Sequence, residues 1–177
     1  MPGNKSEFNL RLATPTDAHA LADVGARLFE QTFGAANTAA DMRMYLAHAF
    51  STDALAAELM DDACATWLAE DGERSIIGYS MLRRESSSVG VVAARPAEVE
   101  RLYADRVWHG RGVGQALMDA CIAQSKLWKC DVLWLAVWEK NPRAIAFYEK
   151  VGFRAVGSQP FVLGTDVQHD LVMARGL

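Results

Sequence analysis

The seven residues Val132-Leu133-Trp134-Leu135-Ala136-Val137-Trp138 are apolar at every position. A strand that shows one face to water alternates polar with apolar residues, whereas a strand apolar on both faces has to be covered on both. This run therefore reads as a central strand with other elements packed above and below it. Upstream, AEVERLYAD (97–105) reads as a strand that sets Val99 and Arg101 against Glu98, Glu100 and Leu102, and a long helical pattern follows within residues 107–130. Downstream, Asn141 as cap and Pro142 at the first helical position open a second helix, which Gly152 ends. Strand, helix and strand in this order predict a parallel pair joined by a right-handed crossover.

The chain before this unit reads as a strand, two helical regions and a hairpin. Leu10 and Leu12 alternate in EFNLRLATPTD, and Thr14-Pro15-Thr16-Asp17 offers caps and an early proline. The segment Ala18–Phe33 places Leu21, Val24, Gly25, Leu28 and Phe29 on one helical face, with Gly34 as the expected stop. Residues 38–60 form a second helical region, broken near Ser51-Thr52-Asp53. CATWLAED and RSIIGYSMLRR flank Glu70-Asp71-Gly72-Glu73 as a hairpin, and ESSSVGVVAARP is a polar loop. After Gly152, RAVGSQPFVLG and DVQHDLVMARG are two more strands joined at Gly164-Thr165-Asp166. No repeat, low-complexity tract or linker interrupts the 177 residues, so a single domain is expected.

Charge and composition exclude several classes of function. A formal net charge of −4 lacks the basic bias of a phosphate-backbone binder, so nucleic acid is not an expected partner. No apolar run reaches the roughly 20 residues of a membrane span, and MPGNKSEFNLRLATPTD has no apolar leader core. Three cysteines, Cys64, Cys121 and Cys130, with no C-x-x-C spacing argue for free thiols and a reducing cytoplasm. His19, His48 and His169 lack metal-ligand spacing, so no metal is expected. The cysteines and Trp67, Trp128, Trp134 and Trp138 read as core, and Trp108 as a neighbour of the loop that follows it.

That loop contains the second constraint. Gly110, Gly112 and Gly114 fall within five positions, directly where the long helix must begin. Glycine inside a helix costs roughly 1 kcal/mol relative to alanine. A helix N-terminus exposes unpaired N–H groups with a partial positive charge, and small residues before it let an anion reach them. The glycines thus have two readings: a tight strand-to-helix turn, or a bed for phosphate. The dinucleotide fingerprint does not fit, because Gln115 or Leu117 stands at its third glycine, and no Gly-Lys-Ser/Thr follows for a P-loop.

The segment His109-Gly110-Arg111-Gly112-Val113-Gly114, with Gln115 following, resembles the pyrophosphate loop of the GNAT N-acetyltransferase superfamily, Gln/Arg-x-x-Gly-x-Gly/Ala. His109 stands where that family usually carries Gln or Arg. WLAVWEKNPRAIAFYEKVGF is similar to the family's second signature through Asn141, Ala144, Phe147, Tyr148, Gly152 and Phe153. The resemblance covers at least residues 75–160, and ERLYAD, VWEKNPRAIAFYEKVGF and FVLGTDVQHDLVM look most like bacterial spermine/spermidine acetyltransferases. It implies an α/β (α+β) fold: a mixed, mostly antiparallel sheet of about seven strands flanked by helices, with a central parallel β-α-β unit. It implies a direct transfer from acetyl-CoA to a primary amine of a small molecule, such as a polyamine, and a homodimer as the assembly.

The resemblance also distributes roles. His109 to Gln115 would hold the pyrophosphate, with Arg111 as a charged contact. The backbone of Leu102, Tyr103 and Ala104 would pair with the pantetheine arm, which Asn141 would also touch. Tyr148 would be the general acid, and Glu98 or Glu100, two apart on one strand face, the general base. Each residue also has a plainer reading: Asn141 as a helix cap, Tyr148 as core, the glutamates as solvated charges. Two functions therefore stand side by side. One is an acetyltransferase for a small amine, a peptide N-terminus or an antibiotic. The other is a non-catalytic acyl-CoA sensor.

Overall fold

The computed structural model describes residues 7–177; the first six, on which part of the leader reading rests, lie outside the described residues. The elements follow in the order β1 (Phe8–Leu12), α1 (Ala18–Phe33), α2 (Ala39–Ala49), α3 (Thr52–Met60), β2 (Cys64–Asp71), β3 (Ile76–Arg84), β4 (Pro96–Ala104), α4 (Val113–Leu127), β5 (Val132–Trp138), α5 (Pro142–Lys150), β6 (Arg154–Leu163) and β7 (Asp166–Gly176). Seven strands form one sheet in the order β1-β2-β3-β4-β5-β7-β6. Every neighbouring pair is antiparallel except β4 and β5, which are parallel. The α/β architecture, the strand number and the parallel β4–α4–β5 unit are those the sequence implies.

The all-apolar β5 lies between β4 and β7 and is covered on both faces. On one face Leu133, Leu135 and Val137 pack with Met118 and Cys121 of α4 and Tyr148 of α5. The other face of the sheet carries α1 to α3, where Leu21, Leu28, Phe29, Phe50 and Leu55 close over Leu68, Tyr79 and Met81. Trp134 is buried, while Trp67, Trp128 and Trp138 keep an exposed edge, as do Cys64 and Cys130 beside the buried Cys121. The core reading of these residues therefore holds in full only for Trp134 and Cys121.

Two local expectations are corrected. Gly34 is not a left-handed stop: its φ is −59°, and the chain tightens into a 3-10 turn over Gly34–Ala36. The helix does end at Phe33 with Gly34 as its C-cap, and Asn37 Nδ2 donates to the Phe33 carbonyl at 2.8 Å. Val99 and Arg101 do not share a face. In the β3–β4 ladder Leu82 faces Val99 and Met81 faces Arg101, so Glu100 is an extra residue, a β-bulge. The bulge turns Arg101 to the α1–α3 face, where its guanidinium lies over the Phe50 ring and binds Glu58 at 2.7 Å. Val99 stays on the α4 face.

Beyond the bulge the sheet opens. β4 and β5 pair only through Pro96–Val132, Ala97–Leu133 and Glu98–Trp134. From Val99 to Ala104, β4 has no strand on its β5 side, while β5 continues against β7 up to Trp138 and Asp170. The β3–β4 connection ties the closed end of this gap: Trp134 Nε1 donates to the Ser86 carbonyl at 2.7 Å, and Ser88 Oγ donates to Gln159 Oε1 on β6. On the α4 side of the gap, β4 is pressed against β3 at Gly78. A Cβ there would lie 2.8 Å from the Tyr103 carbonyl and 3.1 Å from Val113 Cγ1. Gly78→Val should therefore displace both the end of β4 and the start of α4. A loss of about 1–3 kcal/mol, the usual cost of overpacking, is expected in urea unfolding; an unchanged midpoint would show that this junction yields freely.

Candidate functional site

The gap has a floor, two faces and a loop at its open end. Asp105 N–H donates to the Ile77 carbonyl on β3, and the Tyr103 carbonyl also faces β3. Backbone direction alternates along a strand, so the N–H and C=O groups of Leu102 and Ala104 face the gap. The Ala104 carbonyl is taken by His109 Nε2 at 2.9 Å. This leaves both backbone groups of Leu102 and the N–H of Ala104 without a strand to pair with.

His109 fastens the glycine loop. Its Nε2 reaches Ala104 of β4 and its Nδ1 meets Arg143 of α5, so one imidazole joins the loop to both walls. An arginine can only donate, so Nδ1 accepts and the proton sits on Nε2. Partial burial holds the His109 pKa below its ordinary value, which keeps the ring neutral in this role. The variant residue of the loop motif thus works through its side chain.

The three glycines divide by conformation. Gly110 and Gly112 have φ of 78° and 88°, left-handed values that a turn into α4 demands of glycine. Gly114 lies inside the first turn of α4, and a Cβ there would meet only Phe147 Cζ, at 3.9 Å. Neither φ nor packing requires glycine at 114. No side chain caps α4, and the N–H groups of Gly112, Val113, Gly114 and Gln115 have no acceptor among the described residues. Gln115 spends its amide on Asp119 at 2.9 Å, and Arg111 lies exposed over the Trp108 ring and against Glu7. The loop is therefore an open, uncapped helix end with room for an anion.

Tyr148 lies on the α4–α5 face, in the cluster that contains Val99 and Val137 from the two sides of the gap. Its ring packs between Phe147 and Phe153 at 5.4 and 6.0 Å. No hydrogen bond reaches its hydroxyl among the described residues, and burial pushes its pKa above the ordinary phenol value. It is a neutral donor with no partner among the described residues. Asn141 caps α5, its Oδ1 accepting from Ala144 N–H at 3.2 Å.

Glu98 and Glu100 do share a face, the one opposite Tyr148, but their surroundings differ. Glu100 accepts from Arg83 Nε at 3.0 Å, and Arg83 also binds Asp61. Glu98 stands at the closed end of the gap opposite Trp134, takes a hydrogen bond from Ser86 Oγ, and has its pKa raised, chiefly by burial. On this face Phe33 spans the opening, its ring 6.4 Å from Tyr103 of β4 and 6.0 Å from Trp138 of β5. The sequence reading missed Phe33 and also Asp170, a buried carboxylate beside Trp138. The signal for Asp170 was present: a single acid inside the apolar stretch HDLVM. Among the described residues no group of three metal-ligating side chains occurs.

Residues 26–153 match the model of the acetyltransferase (GNAT) family, reaching further toward the N-terminus than the two signatures do. An N-acetyltransferase of Mycobacterium bovis is 35% identical over 92% of this chain and 99% of its own. A spermine/spermidine N(1)-acetyltransferase of Bacillus subtilis is 31% identical, over only 36% of this chain and 42% of its own. In structure, the PaiA N-acetyltransferase of Thermoplasma acidophilum, solved with coenzyme A, superposes with a TM-score of 0.78 at 19% identity, covering 96% of this chain and 99% of that one, a likeness of fold. Gly114→Val should leave the fold intact and weaken coenzyme A binding at least about tenfold, or 1.4 kcal/mol, in calorimetric titration. Unchanged affinity would return the third glycine to the turn alone.

Proposed function

This chain belongs to the GNAT family of acetyltransferases, and on that premise we propose that it transfers an acetyl group directly from acetyl-CoA to a primary amine of a small molecule. The observation that carries the reading is the gap between β4 and β5, with an unpartnered phenol on one face and the half-buried Glu98 carboxylate on the other. Acetyl-CoA supplies an activated acyl group whose leaving group is a thiolate. The free N–H groups at residues 112–115 suit its pyrophosphate, and glycine at 114 leaves the space such a group needs. The gap-facing backbone of Leu102 and Ala104 suits an amide-bearing arm laid along β4 as an added strand, with a backbone N–H to polarise the thioester carbonyl.

Tyr148 then protonates the departing sulfur. Its raised pKa keeps it protonated at every working pH. Glu98 is the better base of the two glutamates, because Glu100 is held by Arg83. An alkylammonium near pKa 10 has to lose a proton before it attacks, and a carboxylate with a raised pKa takes that proton more readily, directly or through water. The polyamine assignment rests on a likeness to a spermine/spermidine acetyltransferase over about a third of the chain and on the acidic chain. A sensor without turnover finds no support in an acid and a base placed on opposite faces.

Tyr148→Phe should lower kcat by roughly 10² to 10⁴-fold, the usual range for a proton-transfer group, with the KM for acetyl-CoA little changed. Wild-type turnover in that variant would reduce Tyr148 to a packing residue. In the unsubstituted protein kcat/KM should fall as pH drops through the raised Glu98 pKa, because protonation removes the base. Glu98→Gln should be slow and lack that limb. A profile that overlays the wild type would exclude Glu98 and point to a water chain.

A further inference from the structure

The α1–α3 face of the sheet holds a second charged group that the transfer step does not use. Asp170 is 8% exposed, lies on β7 opposite Trp138, and receives no hydrogen bond among the described residues. Its backbone and most of its side chain are covered, so the carboxylate is only thinly solvated, and no donor among the described residues takes the place of the lost water. Two neighbouring charges act on it in opposite senses, Glu139 repelling it and His169 offsetting it in part, and Tyr45 of α2 lies close enough to feel its charge. Burial first, and Glu139 next, push its pKa up to about 6.

Asp170 has Trp138 as its ladder partner on β5 and Gln159 on β6, and aromatic rings lie nearby on the same face. Trp138 stands beside it in the ladder, with Phe33 packed on Trp138 at 6.0 Å, and Phe161 meets Tyr45 at 5.4 Å. A carboxylate with an aromatic ring beside it offers a cation both a counter-charge and a π face. Its distance from the gap sets which cation. β5 borders the gap and β7 is the next strand, so Asp170 lies about 5–10 Å from the middle of the gap, one to two strand spacings. That is too far to accept a proton from the reacting nitrogen directly. It is about the separation of the two nitrogens in a diamine with a three- to five-carbon chain.

We propose that Asp170, with Trp138 beside it and Tyr45 close by, seats a second ammonium group of the acceptor, so that this acetyltransferase selects linear di- or oligoamines over monoamines. The inference rests on the amine-acetyltransferase reading and narrows its acceptor. Asp170 holds the distal charge, and the chain between the nitrogens runs along Trp138 to the gap. Asp170→Asn keeps the shape and removes the charge.

The test measures kcat/KM for butane-1,4-diamine and for butylamine in the wild type, Asp170→Asn and Asp170→Glu. The wild type should prefer the diamine by at least about tenfold. Asp170→Asn should erase that preference through the diamine KM, leave butylamine and the KM for acetyl-CoA unchanged, and not lower the melting temperature. Asp170→Glu should restore part of the preference. A wild type indifferent to the second charge overturns the proposal while the transferase reading stands, as does an Asp170→Asn loss equal for both amines. If the wild type consumes no thioester with either amine, the small-amine reading falls and this inference with it.

Discussion

Three residue pairs hold β4 to β5, and then the two strands part because β4 carries one residue more than β3 can match. Parallel neighbours in the middle of a sheet would ordinarily continue to their ends, since each unpaired amide removed from water is costly. Here Glu100 breaks the alternation, and the consequences reach both faces. Arg101 turns toward α3 and its Glu58 partner, while Leu102 and Ala104 present their backbone to an empty lane. The position of the glycine loop follows from the same event. His109 can reach the Ala104 carbonyl only because no strand already occupies it.

The opening also sorts the chemistry by side. α4 and α5 bring the phenol of Tyr148 to one face, and the helices before the hairpin cover the other, where Glu98, Glu100 and Asp170 lie. On the proposed reading the acidic groups lie on the amine's side of the gap and the neutral donor on the thiolate's. The strap at Ser86 and Ser88 crosses the foot of the gap on the acidic side and shields Glu98 from bulk water. Burial is the first cause of the raised Glu98 pKa, and the hydrogen bond from Ser86 of the strap partly opposes it.

Much of this was legible in the residues themselves. The apolar run at 132–138, the Asn141-Pro142 cap and the glycine cluster locate the parallel unit, because each records a strictly local demand on backbone or burial. The bulge at Glu100 was not legible. It depends on how β3 and β4 align, and a strand that reads as regular by itself can still carry one residue too many. For the same reason Val99 and Arg101 were placed on one face. The pairing of Glu100 with Arg83 and the contact of Phe33 with Trp138 join segments 17 and 105 residues apart, and no local pattern announces them. The role of His109 escaped because its partners, Ala104 and Arg143, belong to different elements.

A seam that runs halfway up a sheet leaves the two halves joined by a short ladder at its foot and by the helices laid across it. Whatever occupies the lane becomes the missing strand, completing the hydrogen bonding that β4 lacks from Val99 onward. Ligand and protein then fold as one body. A ligand that binds only the native chain adds RT ln(1 + [L]/Kd) to its stability, about 2.7 kcal/mol at a hundred times Kd. Bound donor would thus hold the two halves of the sheet together as well as supply the acyl group.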